Sequence, residues 1–183
     1  MSLGPEALAA AARRIRLLVL DVDGVLTAGK LYFGADGEAL KTFDIRDGLG
    51  IKLLAEAGIA SAIITGRRSP MVARRAADLG IAHVVQGRED KLTALDELRG
   101  ELQIDYPQIA YIGDDLPDLA AIRKVGLGIT VANGDAFVAR HADWQTRRSG
   151  GDGAVREAAE MILQAQDRLE TLQRRYLQEG PTG

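Results

Sequence analysis

Five short apolar runs recur along the chain, with amphipathic stretches between them. The first, Leu17-Leu18-Val19-Leu20, stops abruptly at Asp21-Val22-Asp23-Gly24. Later runs cover residues 59–65, 82–85, 109–113 and 127–131. Runs without polar alternation predict strands buried on both faces, as in a parallel sheet. Helical spacing is expected over 49–57, 70–79, 91–102 and 116–124. Ser69-Pro70 reads as a helix start, and Gly58 and Gly80 sit where helices should stop. Strand and helix in alternation predict βαβ units, hence an α/β fold with a doubly wound, Rossmann-like parallel sheet.

Two segments depart from that rhythm. Residues 29–43 carry two strand-like arms around Ala35-Asp36-Gly37, a β-hairpin signal. So short a hairpin is not stable alone, so its apolar face must pack on the body or, the favoured reading, on another subunit. Residues 152–179 read as one long amphipathic C-terminal helix, with Val155, Ala158, Ala159, Ile162, Leu169, Leu172 and Tyr176 on one face and Gln166 interrupting it. It is expected to lie on its own domain, with part of it available to a subunit interface. The Gly-rich loop before it, 149–153, could reach a neighbouring site.

Composition narrows the class. With 183 residues, 46% of them hydrophobic, the chain can bury the core of one domain spanning 1–183. A net charge of -3 offers no broad basic surface for nucleic acid or an anionic membrane. Cysteine is absent, which excludes disulfides and thiolate chemistry and is compatible with the cytoplasm. The N-terminus has its arginines after the apolar part, the wrong order for a secretory signal, and no window reaches membrane-spanning length.

Chemistry-bearing residues fall at the carboxyl ends of successive predicted strands, where open α/β sheets bind ligands. If the chain stays extended, Asp21 and Asp23 project to one side, roughly 6.6 Å apart. Thr65-Gly66-Arg67 follows the second strand, Lys91 the third, and Gly113-Asp114-Asp115-Leu116-Pro117-Asp118 the fourth. Clustered carboxylates repel unless a cation shares the site. A hydroxyl, a lysine and carboxylates around one Asp-Xaa-Asp suit phosphoryl transfer assisted by magnesium, a hard ion that takes carboxylates, waters and a phosphate oxygen. Asp115 and Asp118 equally suit capping of the next helix. Arg75, beside Arg74, equally suits a solvated charge pair.

In motif order, Asp-Xaa-Asp, Thr, Lys and a paired acidic motif, the chain resembles the haloacid dehalogenase superfamily of phosphatases, in its capless form with 29–43 as the only flap. Phe43-Asp44-Ile45-Arg46-Asp47-Gly48, Ile64-Thr65-Gly66-Arg67, Gln86-Gly87, Gly113-Asp114-Asp115 and Gly150-Gly151-Asp152-Gly153-Ala154-Val155-Arg156-Glu157 make it similar to that superfamily's 3-deoxy-D-manno-octulosonate 8-phosphate phosphatase branch. The resemblance implies that Asp21 is the nucleophile and Asp23 the general acid and base. It implies that Asp21, the Asp23 carbonyl and Asp114 hold Mg2+, and that Thr65 and Lys91 hold phosphoryl oxygens. Asp115 would orient Lys91 or the metal waters. Asp23, Asp44, Ile45, Arg46, Asp47, Gly48, Lys52, Thr65, Gly66, Arg67, Arg75 and Lys91 would contact a small sugar-acid phosphate, its carboxylate suiting arginine forks. The branch also implies a homotetramer in which hairpins pack together and a neighbour's tail helps close the site. Asp44 stands where many relatives have asparagine. Rival readings are a phosphatase for nine-carbon sugar acids and a non-catalytic assembly domain, the latter disfavoured by the intact Asp21, Asp23, Thr65, Lys91 and Asp114.

Overall fold

The structure, a computed structural model, describes residues 2–178. In chain order its elements are α1 (Pro5–Ala12), β1 (Leu17–Leu20), the hairpin β2 (Tyr32–Gly34) and β3 (Gly37–Leu40), α2 (Ile45–Glu56), β4 (Ala60–Thr65), α3 (Pro70–Leu79), β5 (His83–Gln86), α4 (Lys91–Leu102), β6 (Ile109–Gly113), α5 (Leu119–Ile122), β7 (Leu127–Thr130), α6 (Ala136–Ala139), β8 (Trp144–Gln145), α7 (Ala154–Ala165) and α8 (Leu169–Gln178).

Six strands form one parallel sheet in the order β5-β4-β1-β6-β7-β8. All four residues of β1 are buried, as its unbroken apolar run requires. Their side chains alternate between two layers. Leu18 and Leu20 pack with Ile51, Leu53, Val72, Val155 and Ile162 from α2, α3 and α7. Leu17 and Val19 pack with Leu95, Leu98, Ile122 and Val138 from α4, α5 and α6. The chain leaves β1 toward β4 and β5, then returns to β6 on the other side. This reversal opens a crevice at the carboxyl end of β1.

Strand 109–113 and helices 70–79 and 91–102 fall where the pattern expects them. Strand 17–20 also falls as expected, the boundaries that differ move by one to four residues, and α1, α6 and β8 were not anticipated. The helix expected over 116–124 is instead a tight turn, Leu116–Asp118, followed by the short α5. The expected helix over 152–179 is corrected to two, α7 and α8, and residue 179 lies outside the described residues. Between them Gln166 turns its amide onto the carbonyls of Ala12 and Ile15, at 3.1 and 2.9 Å, and Asp167 takes a left-handed φ of 56°. The polar interruption is thus the break itself. The apolar face of α7 is covered by its own domain.

Residues 149–153 lie on the chain's own β1 turn: the Gly151 N–H donates to the Val25 carbonyl at 2.9 Å, and Gly150 rests against Gly24 where a Cβ has no room. The hairpin is different. Leu31, Tyr32, Phe33 and Leu40 stay exposed, Phe33 at 66%, so the body does not cover the flap. Among the described residues, no helix is long and apolar enough to cross a membrane.

Candidate active site

At the end of β1 the chain does not stay extended. The Asp21 N–H bonds to the Ile112 carbonyl at 3.0 Å, and residues Val22–Leu26 then coil tightly. Gly24 makes the coil possible, since its φ of 103° is left-handed and a Cβ there would run into the Asp114 carboxylate. Asp21 and Asp23 therefore line one cleft through a turn rather than through strand alternation. The cleft measures about 490 Å³ and is lined also by Thr65, Gly66, Arg67, Glu89, Lys91 and Pro117.

Each wall of the cleft comes from a different strand end. Thr65 closes β4 and is buried, with Gly66 and Arg67 following it. Lys91 opens α4 after β5, and its Nζ lies 2.9 Å from Asp21 Oδ1 and 2.6 Å from Asp118 Oδ1. Asp118 also accepts from the Tyr111 hydroxyl at 2.8 Å and from the Asp114 N–H at 3.3 Å. Asp114 reaches the cluster from the end of β6. The Asp21, Asp114 and Asp118 carboxylates place oxygens within 4.8 Å of one another.

So much buried anion is costly. Burial, then the Asp118 carboxylate, push Asp21 up to about 7, against the pull of Lys91. Burial and Asp118 likewise push Asp114 up to about 6. Burial alone would depress the Lys91 ammonium, but Asp21 and Asp118 outweigh it and hold it above its usual value. Three carboxylates against one ammonium leave excess negative charge, which a divalent cation would neutralise. An all-oxygen donor set fits magnesium. Asp21 and Asp114 are the carboxylates better placed to bind it. Both oxygens of Asp118 already accept, Oδ1 from Lys91 and Tyr111 and Oδ2 from the Asp114 and Asp115 N–H groups, whereas Lys91 takes only Oδ1 of Asp21.

One expectation is corrected. The carboxylate that orients Lys91 is Asp118, not Asp115. Asp115 accepts from the Leu116 N–H at 2.7 Å and caps the Leu116–Asp118 turn. Asp118, for which the sequence left helix capping and a place in the acidic cluster equally open, is 1% exposed and sits inside the cluster. Its signal was the three-residue step from Asp115, which one turn carries back under Gly113. Lys41 and Glu38, from the flap, were missed altogether. The Lys41 ammonium contacts Asp23 Oδ1 and lies 3.2 Å from Glu38 Oε1, while Arg67 Nε is 3.9 Å from Asp23 Oδ2.

The residues expected around the sugar divide. Asp23, Thr65, Gly66, Arg67 and Lys91 share the cleft, whereas Asp44, Ile45, Arg46, Asp47, Gly48, Lys52 and Arg75 do not line it. Asp44 caps α2 by accepting from the Arg46 N–H at 2.6 Å, and the Arg46 guanidinium spans Asp44 and Asp152 at 2.6 and 2.5 Å. Ile45 and Lys52 are exposed. Arg75 donates to the Asp44 carbonyl at 3.3 Å and fills the space beside Gly48. Asp47 is corrected outright: it is buried, and its Oδ1 accepts from the Arg156 N–H at 2.8 Å, tying α2 to the start of α7. Such a side chain holds helices together and, at 1% exposure, is closed off from the cleft.

The haloacid dehalogenase-like hydrolase family profile matches residues 79–157. The 3-deoxy-D-manno-octulosonate 8-phosphate phosphatase KdsC of Yersinia pestis is 50% identical over 159 residues, 87% of this chain and 85% of its own. A solved phosphatase of that name from Moraxella catarrhalis, in complex with a magnesium ion, a phosphate ion and KDO, superposes with a TM-score of 0.93 at 45% identity. It covers 94% of this chain and 99% of its own. A probable phosphatase of the YrbI family from Pseudomonas syringae pv. phaseolica superposes equally well at 54% identity, covering 94% and 98%. With that identity across nearly the full length of both chains, the protein belongs to the haloacid dehalogenase-like hydrolases, in their family of 3-deoxy-D-manno-octulosonate 8-phosphate phosphatases.

Proposed function

We propose that this chain is a magnesium-dependent phosphatase that hydrolyses 3-deoxy-D-manno-octulosonate 8-phosphate to the free sugar acid and phosphate, a step in making lipopolysaccharide precursors. The observation that carries the reading is the Lys91 ammonium held between the Asp21 and Asp118 carboxylates at the floor of an open cleft. That arrangement keeps one Asp21 oxygen restrained while the other is free to attack.

In the first half-reaction an Asp21 oxygen attacks phosphorus, the bond from phosphorus to the sugar oxygen breaks, and an aspartyl-phosphate forms. Asp23 gives its proton to the departing sugar oxygen. In the second, Asp23 takes a proton from water as that water attacks phosphorus, and the Asp21 carboxylate is released. Thr65 and Lys91 hold phosphoryl oxygens throughout, where fixed donors stabilise the developing charge. Magnesium, held by Asp21, the Asp23 carbonyl and Asp114, supplies the positive charge that lets an anionic carboxylate approach an anionic phosphate. Arg67, at the cleft rim and half exposed, suits the sugar carboxylate.

The same reading gives the flap a partner. Leu31, Tyr32, Phe33 and Leu40 leave an apolar face open, which we read as the contact between subunits of a cytoplasmic homotetramer. Light scattering should return the mass of four chains, and a monomer mass overturns this part.

A panel of sugar phosphates with magnesium tests the substrate. The eight-carbon acid phosphate should exceed nine-carbon acid phosphates and simple hexose phosphates in kcat/KM by about tenfold or more, a margin of ~1.4 kcal/mol in transition-state binding. Equal or better turnover of the nine-carbon acid would overturn the assignment.

A further inference from the structure

The mechanism uses Asp23 twice, yet Asp23 sits on a coiled turn beside Gly24, with its side chain about one-fifth exposed. What steadies it comes from the flap. Lys41 follows β3 directly, and its side chain is 2% exposed. Lysine is rarely buried so fully unless it is paired. Here the ammonium touches Asp23 Oδ1 on one side and lies 3.2 Å from Glu38 Oε1 on the other. Arg67 faces the same two acids from the rim, 3.9 Å from Asp23 Oδ2 and 3.8 Å from Glu38 Oε1. Burial works to raise the Glu38 carboxyl, but its bond with Lys41 helps bring it below the usual carboxylate value, so Glu38 stands as an anion against the ammonium.

Packing alone does not account for this. Residues that only hold a hairpin to its base are better apolar, because burying a charge pair gains little over well-packed hydrocarbon. A buried ammonium placed on one particular carboxylate oxygen fixes direction. The second oxygen, Oδ2, is left to Arg67 at 3.9 Å, a residue that lines the cleft.

We propose that Lys41 is a positioning residue for the phosphatase reaction: its ammonium, anchored by Glu38, fixes the Asp23 carboxylate so that it can reach the departing sugar oxygen and the attacking water. The inference rests on the proton-transfer role of Asp23 proposed above. It makes the flap part of the catalytic apparatus within one chain, whatever covers its outer face.

Two probes separate positioning from folding. Departure of a sugar alkoxide needs a proton, whereas p-nitrophenolate is weakly basic and leaves without one. Its burst reports only the attack by Asp21. With magnesium present, Lys41→Met should lower kcat on the sugar phosphate by about 100-fold with KM changed less than about threefold. The same variant should release p-nitrophenolate in a burst within about threefold of the wild-type rate, then turn over slowly because water activation is lost. Lys41→Arg should recover at least about tenfold of the lost kcat, since it restores the charge and donor.

An equal fall in burst rate and sugar turnover would show general damage and overturn the proposal. An unchanged kcat in Lys41→Met, or no recovery in Lys41→Arg, would overturn it too. Asp23→Asn is run in parallel. Full sugar turnover in Asp23→Asn overturns the role of Asp23 itself. Turnover lost in Asp23→Asn but kept in Lys41→Met overturns only the inference about Lys41.

Discussion

Lys91 Nζ lies 2.9 Å from Asp21 Oδ1, a contact between two side chains that are each 6% exposed. One ammonium cannot neutralise Asp21 and Asp118 together, and Asp114 adds a third carboxylate beside them. The site is therefore short of positive charge by design.

Asp21→Asn should end phosphate release, and no phosphate should be trapped on the variant protein by mass spectrometry. It should also stabilise the metal-free chain. The Asp21 carboxyl ordinarily titrates at 3.8 and is raised to about 7 in the folded state. A raised carboxyl costs stability as pH climbs above the unfolded value, and the cost is complete once the folded value is passed. Removing it should raise the melting temperature at pH 8 by about 3–6 °C, or ~1–2 kcal/mol after the lost Lys91 contact is allowed for. The gap should close toward pH 4, which calorimetry at several pH values checks. A constant gap across that range would contradict the charge argument.

Asp118→Asn and Asp115→Ala should behave differently. Asp118 holds Lys91 and Tyr111, so its amide variant should leave Lys91 loosely placed and reduce kcat by about 100-fold. Asp115 caps a surface turn, so its loss should cost about 1 kcal/mol of stability and only a few-fold in kcat. Similar kinetic losses in the two variants would return Asp115 to the site.

Magnesium affinity should follow the protonation of the same cluster. Asp21 is raised to about 7 and Asp114 to about 6, so below neutrality the metal must displace protons. The dissociation constant should rise as pH falls from 8 to 5, by up to about tenfold per unit for each proton displaced. Calorimetric titration at pH 6 in buffers of different ionisation heat should register proton release. A chelator should stop turnover, and added magnesium restore it.

Much of this fold was written locally. Helix 70–79 was legible to the residue because Pro70 suits its first turn and Gly80 takes a left-handed φ of 70° at its end. Strand 109–113 was legible because both its faces are buried, so its residues are apolar or small but for Tyr111, whose ring is buried with its hydroxyl on Asp118. Asp118 and Lys41 were not legible in the same way. Their partners lie 27 and 18 residues away, Lys91 for the first and Asp23 for the second. No residue near Lys41 marks its contact, and the three-residue step from Asp115 to Asp118 marks a turn without naming Lys91 as the partner. Asp47 misled for the converse reason: it stands in a charged stretch at a helix start, and only the arrival of α7 buries it.

Residue order alone determined the alternation of strand and helix, the apolar β1, and the set of Asp21, Asp23, Thr65, Lys91 and Asp114 at strand ends. These depend on periodicity and on the rule that parallel strands deliver their carboxyl ends to one edge. Tertiary structure decided which acid holds Lys91, that Asp47 serves α7, and that the flap returns Lys41 to Asp23. Those pairings depend on distances between segments remote in the chain, and local propensity carries no information about such distances.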